Sequence, residues 1–164
     1  MKPFFLVPFI CLSFIVVSCD SKNITLSVNN EASFVNAEAA IKKSIQDWAD
    51  ACKNKDYNKA TNLFDSTSDV MLIGSDSSEV LVGREQIAAF LKTMLSQPFT
   101  LSWEIKKIDV FHHQQTAWAY ADGALLVTEK ANTTRLPYRF VVVLAERNKE
   151  WKWKLYHGSE PKPQ

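Results

Sequence analysis

Apolar positions recur at helical spacing in the first half of the chain and alternate in the second half. Over residues 36–54, Ile41, Ile45, Trp48 and Cys52 fall on one helical face, while Lys42, Lys43, Asp47 and Asp50 fall elsewhere. Asn36 is placed to cap that helix. Asp56 is placed to cap a second, Tyr57 to Phe64, with Ala60, Leu63 and Phe64 turned inward. A hairpin follows: strand 69–74, the polar turn Ser75-Asp76-Ser77-Ser78, and strand 79–82. Gly83 opens a third helix, 84–95, with the stripe Ile87, Phe90, Leu91, Met94 and Leu95, and Gln97-Pro98 stops it. The remainder predicts four long strands, 101–111, 116–128, 133–146 and 151–157. Strict alternation on the last puts Trp151, Trp153, Leu155 and His157 on one face and Lys152, Lys154 and Tyr156 on the other.

Helices followed by a mostly antiparallel sheet predict an α+β fold. The chain has 164 residues, 46% apolar and 12% aromatic, enough for one well-filled core. A formal net charge of +1 gives no basic stripe, so nucleic acid is not an expected partner.

The N-terminus carries a different pattern. Met1-Lys2 precedes an apolar run from Phe4 to Val17 that is short for a membrane span. Val16-Val17-Ser18-Cys19 resembles the lipobox of bacterial lipoproteins, which implies cleavage before Cys19 and lipidation of its thiol. The expected organisation is a signal peptide (1–18), a lipid-anchored tether (19–35) with a short strand possible at 24–28, a folded domain (36–160) and a tail (161–164). The expected location is the cell envelope, on the periplasmic side of the inner or outer membrane if the cell is Gram-negative. Cys11 leaves with the signal, so Cys52 alone remains in the domain, without a disulfide or zinc partner.

Several local words resemble the nuclear transport factor 2-like superfamily in its SnoaL-like branch. Trp48-Ala49-Asp50-Ala51-Cys52-Lys53-Asn54-Lys55-Asp56 is similar to the family's first-helix ending. Leu63-Phe64, Asp69-Val70 and Gly83-Arg84-Glu85-Gln86-Ile87 follow in the family's order, and Glu150 to Ser159 is similar to its closing strand. The resemblance implies a cone: a curved mixed or antiparallel sheet wrapped around N-terminal helices, with a pocket at one end. It also implies a homodimer through the sheet face. Trp48 matches the aromatic that is the oxyanion-hole tyrosine in ketosteroid isomerase. That enzyme's base would fall near Gly74, and its protonated aspartate near Arg139 or Phe140. None of those catalytic groups is matched, so that chemistry is not expected.

The expected pocket set is Trp48, Cys52, Trp103, Trp118, Tyr120, Asp122, Arg139 and His157. The face bearing Trp118, Tyr120, Asp122 and Ala124 matches the pocket-lining face of relatives. Asp122 is either a partly desolvated base or a wet strand-end carboxylate paired with Arg139. Arg139 either clamps a ligand carboxylate or makes a structural ion pair. His157 is either an acid–base group at the pocket mouth or a structural histidine. His112-His113 reads as an exposed hairpin tip, because adjacent strand residues face opposite ways and chelate one metal poorly. No metal and no cofactor are expected. These residues suit three functions: binding of a small hydrophobic or carboxylate-bearing molecule, a cofactor-free isomerase, cyclase or dehydratase using Asp122 or His157, or a non-catalytic dimerising protein.

Overall fold

The computed structural model describes the backbone of residues 21–162 and the side chains of 35–162. The proposed signal peptide, Cys19 and the last two tail residues lie outside that range. Three helices, α1 (Ser21–Lys53), α2 (Tyr57–Leu63) and α3 (Arg84–Leu95), accompany six strands. These are β1 (Met71–Ile73), β2 (Val80–Val82), β3 (Thr100–His113), β4 (Thr116–Glu129), β5 (Asn132–Arg147) and β6 (Glu150–Ser159). One mixed sheet runs in the order β2-β1-β6-β5-β4-β3. β3 to β6 form an antiparallel meander, and the β1–β2 hairpin joins it by parallel pairing of β1 with β6. The α+β class and element order agree with the sequence pattern.

The first helix is longer than its apolar stripe predicts. It begins at Ser21, so residues 24–28 are helical rather than a strand, and Asn36 is interior rather than a cap. Alternation over five residues is a weak strand signal without a sheet edge to join. A helix satisfies the same backbone groups within itself, and an interior Asn costs only a few tenths of a kcal/mol, up to about 0.7. The packed part begins at Ala37. Ile41, Ile45, Trp48 and Cys52 are all buried, as their spacing predicts. At α2, Asp56 Oδ1 accepts from the Lys59 backbone N–H at 2.9 Å, the expected cap.

Two bulges shape the sheet. On β3 the pairing with β4 slips between Ile105 and Lys107. On β6, Leu144 pairs with Trp153 and Val143 with Leu155, leaving Lys154 as an extra residue. A bulge bends its strand and resets which side chains face inward. Trp153 and Tyr156 are therefore both buried, with Leu155 and His157 on the opposite face. The strict alternation expected for residues 151–157 fails at this one inserted residue. The Lys154 ammonium is drawn sideways to the Asp69 carboxylate and to Thr67 Oγ1.

The core is aromatic where α1 meets the sheet. Trp48 packs against Phe64, Trp103, Trp153 and Tyr156 at centroid distances of 6.1, 5.7, 5.6 and 5.4 Å. The Trp153 indole N–H donates to Ser44 Oγ at 3.0 Å, and that hydroxyl donates to the Ile41 carbonyl at 2.8 Å. This chain sets the depth of α1 over β6. Behind it, the buried Asp65 carboxylate accepts from Arg147 Nε at 2.7 Å. Burial alone would raise its pKa. Hydrogen bonds from Arg147 and the Ser66 N–H, and the nearby Lys154, hold it below the usual carboxylate value.

Ser44→Ala should strand the Trp153 N–H in the core. Urea unfolding is expected to show a loss of about 1–3 kcal/mol, the cost of an unmet buried donor. No measurable loss would mean that the bond does not hold α1 in place.

Candidate functional site

Side chains that alternate along a curved strand divide between two environments. On β4, Ala117, Ala119 and Ala121 are buried beneath the helices, whereas Trp118 is exposed. On β5, Tyr138, Phe140, Val142 and Leu144 are buried, whereas Arg139 is exposed. The small alanines let β4 pass close beneath α1. The inner face thus belongs to the odd-numbered residues of β4 and the even-numbered residues of β5.

A cavity of about 100 Å³ opens between α1, α3, the β1–β2 hairpin and the inner face. Its walls are Trp48, Leu72, Phe90, Met94, Leu101, Trp103 and Leu125. Its polar groups come from Ser75, Glu79, Tyr138 and Tyr156. The volume is well below the ~300–1,000 Å³ of clefts that enclose drug-sized ligands. It suits one ring or one head group.

Two glycines make room for the polar rim. A Cβ on Gly74 would lie 1.8 Å from Glu79 Oε2, so the Glu79 carboxylate occupies the space that a side chain at position 74 would need. The hairpin holds it there: the Gly74 N–H donates to the Glu79 carbonyl at 2.8 Å, and the Asp76 N–H donates to Glu79 Oε2 at 3.3 Å. A Cβ on Gly158 would lie 2.0 Å from the Tyr138 hydroxyl, so this glycine clears space for that phenol. The Tyr156 hydroxyl donates to Tyr138 Oη at 3.5 Å. Burial pushes both phenols above their ordinary pKa, Tyr156 most strongly, so both stay protonated at neutral pH.

The indole donors differ from these. Among the described residues, Trp48 Nε1 and Trp103 Nε1 are buried without a hydrogen-bond partner. A buried donor without an acceptor costs about 1–3 kcal/mol. Both rings line the cavity, 5.7 Å apart.

Of the eight expected pocket residues, Trp48 and Trp103 line the cavity. Cys52 lies one turn beyond Trp48 in the packed core, and burial raises its thiol pKa, which leaves it unreactive. Trp118, Tyr120, Asp122, Arg139 and His157 lie on the opposite, outer face. There Asp122 is the cross-strand neighbour of Arg139, and His157 of Val141. Tyr120 Oη donates to Asp122 Oδ1 at 3.2 Å. The face chosen on β4 was the wrong one, and the bulge on β6 carries His157 outward. His112 also departs from expectation: it is the penultimate residue of β3, partly buried with its ring 6.3 Å from Trp151, while His113, which ends the strand, is exposed. Glu79, Tyr138 and Tyr156 were not anticipated. Two glycines five residues before Glu79 and two after Tyr156 were the available signal, legible only once the close approaches are known.

The class that fold and cavity define is a cone-shaped α+β domain with a small cavity at one end. The chain belongs to the SnoaL-like domain family, whose model matches residues 41–163. A nuclear transport factor 2-like superfamily protein from Salmonella enterica serovar Typhimurium superposes with a TM-score of 0.69 at 19% identity, covering 81% of this chain and 95% of that one. A member of the same family from Streptomyces avermitilis gives 0.69 at 13%, covering 76% and 96%. A protein of unknown function with a cystatin-like fold from Nostoc punctiforme gives 0.62 at 14%, covering 76% and 90%. At such identities the likeness is one of fold. No curated protein matches the chain.

Gly74→Ala should force the hairpin to shift and Glu79 to leave the rim, at a cost of about 1–3 kcal/mol by thermal or urea unfolding. Adding Glu79→Ala should recover part of that cost, because the carboxyl group is the nearest obstacle. Strictly additive losses would show that the two positions do not share that space.

Proposed function

We propose that the chain is an envelope lipoprotein whose SnoaL-like domain binds a small, mainly apolar molecule in the cone cavity. The observation that carries this reading is the cavity itself, whose walls are mainly apolar and include the rings of Trp48 and Trp103. A carboxylate-bearing ligand was favoured only by Arg139, which is remote from the cavity. Asp122 and His157 lie outside the cavity lining, and His157 borders an open surface cleft together with Gly74 and Ser75 of the rim.

A second reading concerns the outer face of the sheet, and it is favoured by where apolar surface remains exposed. Phe111 and Trp118, on β3 and β4 at one edge of the sheet, are 52% and 45% exposed, and Val80 and Val82, on β2 at the other edge, are 53% and 45% exposed. Phe111 and Trp118 stack at 6.0 Å. Beside them Asp122 and Arg139 offer both charge signs on one patch. A second copy related by a two-fold axis could pair them reciprocally, so the occupant proposed is another protomer. Native mass spectrometry of the protein should give a dimer with one small molecule per protomer. Met94→Trp, which fills the cavity, should remove the molecule, and Arg139→Ala should keep it. Trp118→Asp should give monomers. Bare monomers from the unmodified protein at micromolar concentration would refute both parts.

The anchor rests on Val16-Val17-Ser18-Cys19. Stable membrane attachment takes more than one acyl chain, which a lipidated N-terminal cysteine supplies. Cys19→Ser should move the protein from the membrane fraction to the soluble one. Unchanged membrane association would remove the lipidation proposal.

A further inference from the structure

The rings that wall the cavity and the one charge at its rim together define a guest. We infer that the cavity takes the head of a quaternary ammonium cation, a trimethylammonium group on a short polar arm. This inference rests on the binding reading above and names its ligand class.

Three observations carry it. First, much of the wall is aromatic: Trp48, Phe90, Trp103, Tyr138 and Tyr156 border one hollow. Trp103 is inclined by 50° to Trp48 and by 75° to Tyr138, with centroids 5.7 and 6.3 Å away, so these three rings stand as inclined walls and not as a stack. The π electrons of aromatic rings attract cations, and cages built from such rings recognise quaternary ammonium groups. Second, among the described residues Glu79 is the only charged one in the lining, with no Lys, Arg or His beside it there. Its field reaches the phenols: burial first, and Glu79 in addition, push Tyr138 and Tyr156 above their ordinary pKa. The phenols stay neutral, so the hollow carries one negative charge that nothing in its lining offsets. Gly74 is what admits this carboxylate to the rim. Third, the hollow is small, about 100 Å³, and the rest of its wall is Leu72, Met94, Leu101 and Leu125. A primary ammonium is strongly hydrated and brings three N–H donors, for which those side chains offer no acceptor. A trimethylammonium head brings none: its methyl groups pack on the aliphatic wall while its charge meets the rings and Glu79. Gly74 and Ser75 border both the cavity and the open cleft outside it, which gives the polar arm its way out.

Choline carries such a head. Neohexyl alcohol has nearly the same shape with carbon in place of the nitrogen, so it is neutral, and tert-butylacetate sets that neutral head on an anionic arm. Isothermal titration of the full-length protein with each should find choline tightest, by about tenfold over the alcohol, equivalent to about 1.4 kcal/mol. The anion should bind weakest. Glu79→Gln should remove most of choline's advantage and leave the affinity for the alcohol unchanged. Trp103→Leu keeps an apolar wall and should weaken choline more than the alcohol. The order measured on the unmodified protein decides the matter even if a variant fails to fold. Neohexyl alcohol or tert-butylacetate binding as tightly as choline would overturn this inference while leaving the cavity a binding site. Failure of all three to bind would instead overturn the binding reading itself, and this inference with it.

Discussion

The structure depends on the seating of one indole. Trp48 stands on the inward face of α1 and touches aromatic rings from the end of α2, from β3 and from β6. Aromatic pairs at such distances contribute about 0.5–1.5 kcal/mol each beyond their buried area. They also fix direction, because flat rings at tilted and edge-on angles fit in few ways. With Ser44 holding Trp153 one turn earlier, α1 cannot slide along the sheet without breaking both contacts. The meander must then bend around the helix, and the bulges at Lys106 and Lys154 supply the bend.

That bend creates two unlike surfaces from the same strands. The inner face carries alanines, branched aliphatics and the aromatic cluster, and it stops short of filling the open end. The hairpin, α3 and the rim tyrosines enclose what is left. The outer face carries Phe111, Trp118, Asp122, Arg139 and His157. A residue's chemistry here is decided by parity along its strand. Asp122 and Glu79 are both carboxylates near Tyr hydroxyls, yet only Glu79 stands at the cavity.

Parity is also what the sequence conveys least well. The helix stripes, the order of elements along the chain and the Trp48 face were readable because each repeats a period over many residues, and the Asp56 cap because an acidic residue follows a polar break. The face of β4 was not, since alanine and tryptophan alternate there and the larger ring invites the inward reading. Ala117, Ala119 and Ala121 are inside because α1 needs the room. On β6 a single inserted residue exchanged Tyr156 for Leu155 in the core, and nothing in the spacing of aromatic residues announces a bulge. Glu79 entered the site through the absence of a side chain at Gly74, a tertiary relation between two positions that look like ordinary hairpin residues. The start of α1 was hidden for another reason: residues 21–35 are rich in Asn and Ser, which compete with the helix locally without forbidding it.

The central claim is that a hollow lies against the rings of Trp48 and Trp103. The most direct measurement is the set of side-chain N–H signals of the five tryptophans by ¹⁵N-correlated NMR, assigned by single Trp→Phe replacements. With benzene added as a small apolar guest, the Trp48 and Trp103 signals should shift in the ring current of the guest, while the exposed Trp118 stays fixed. Movement confined to the exposed Trp118, or none at all, would contradict the account.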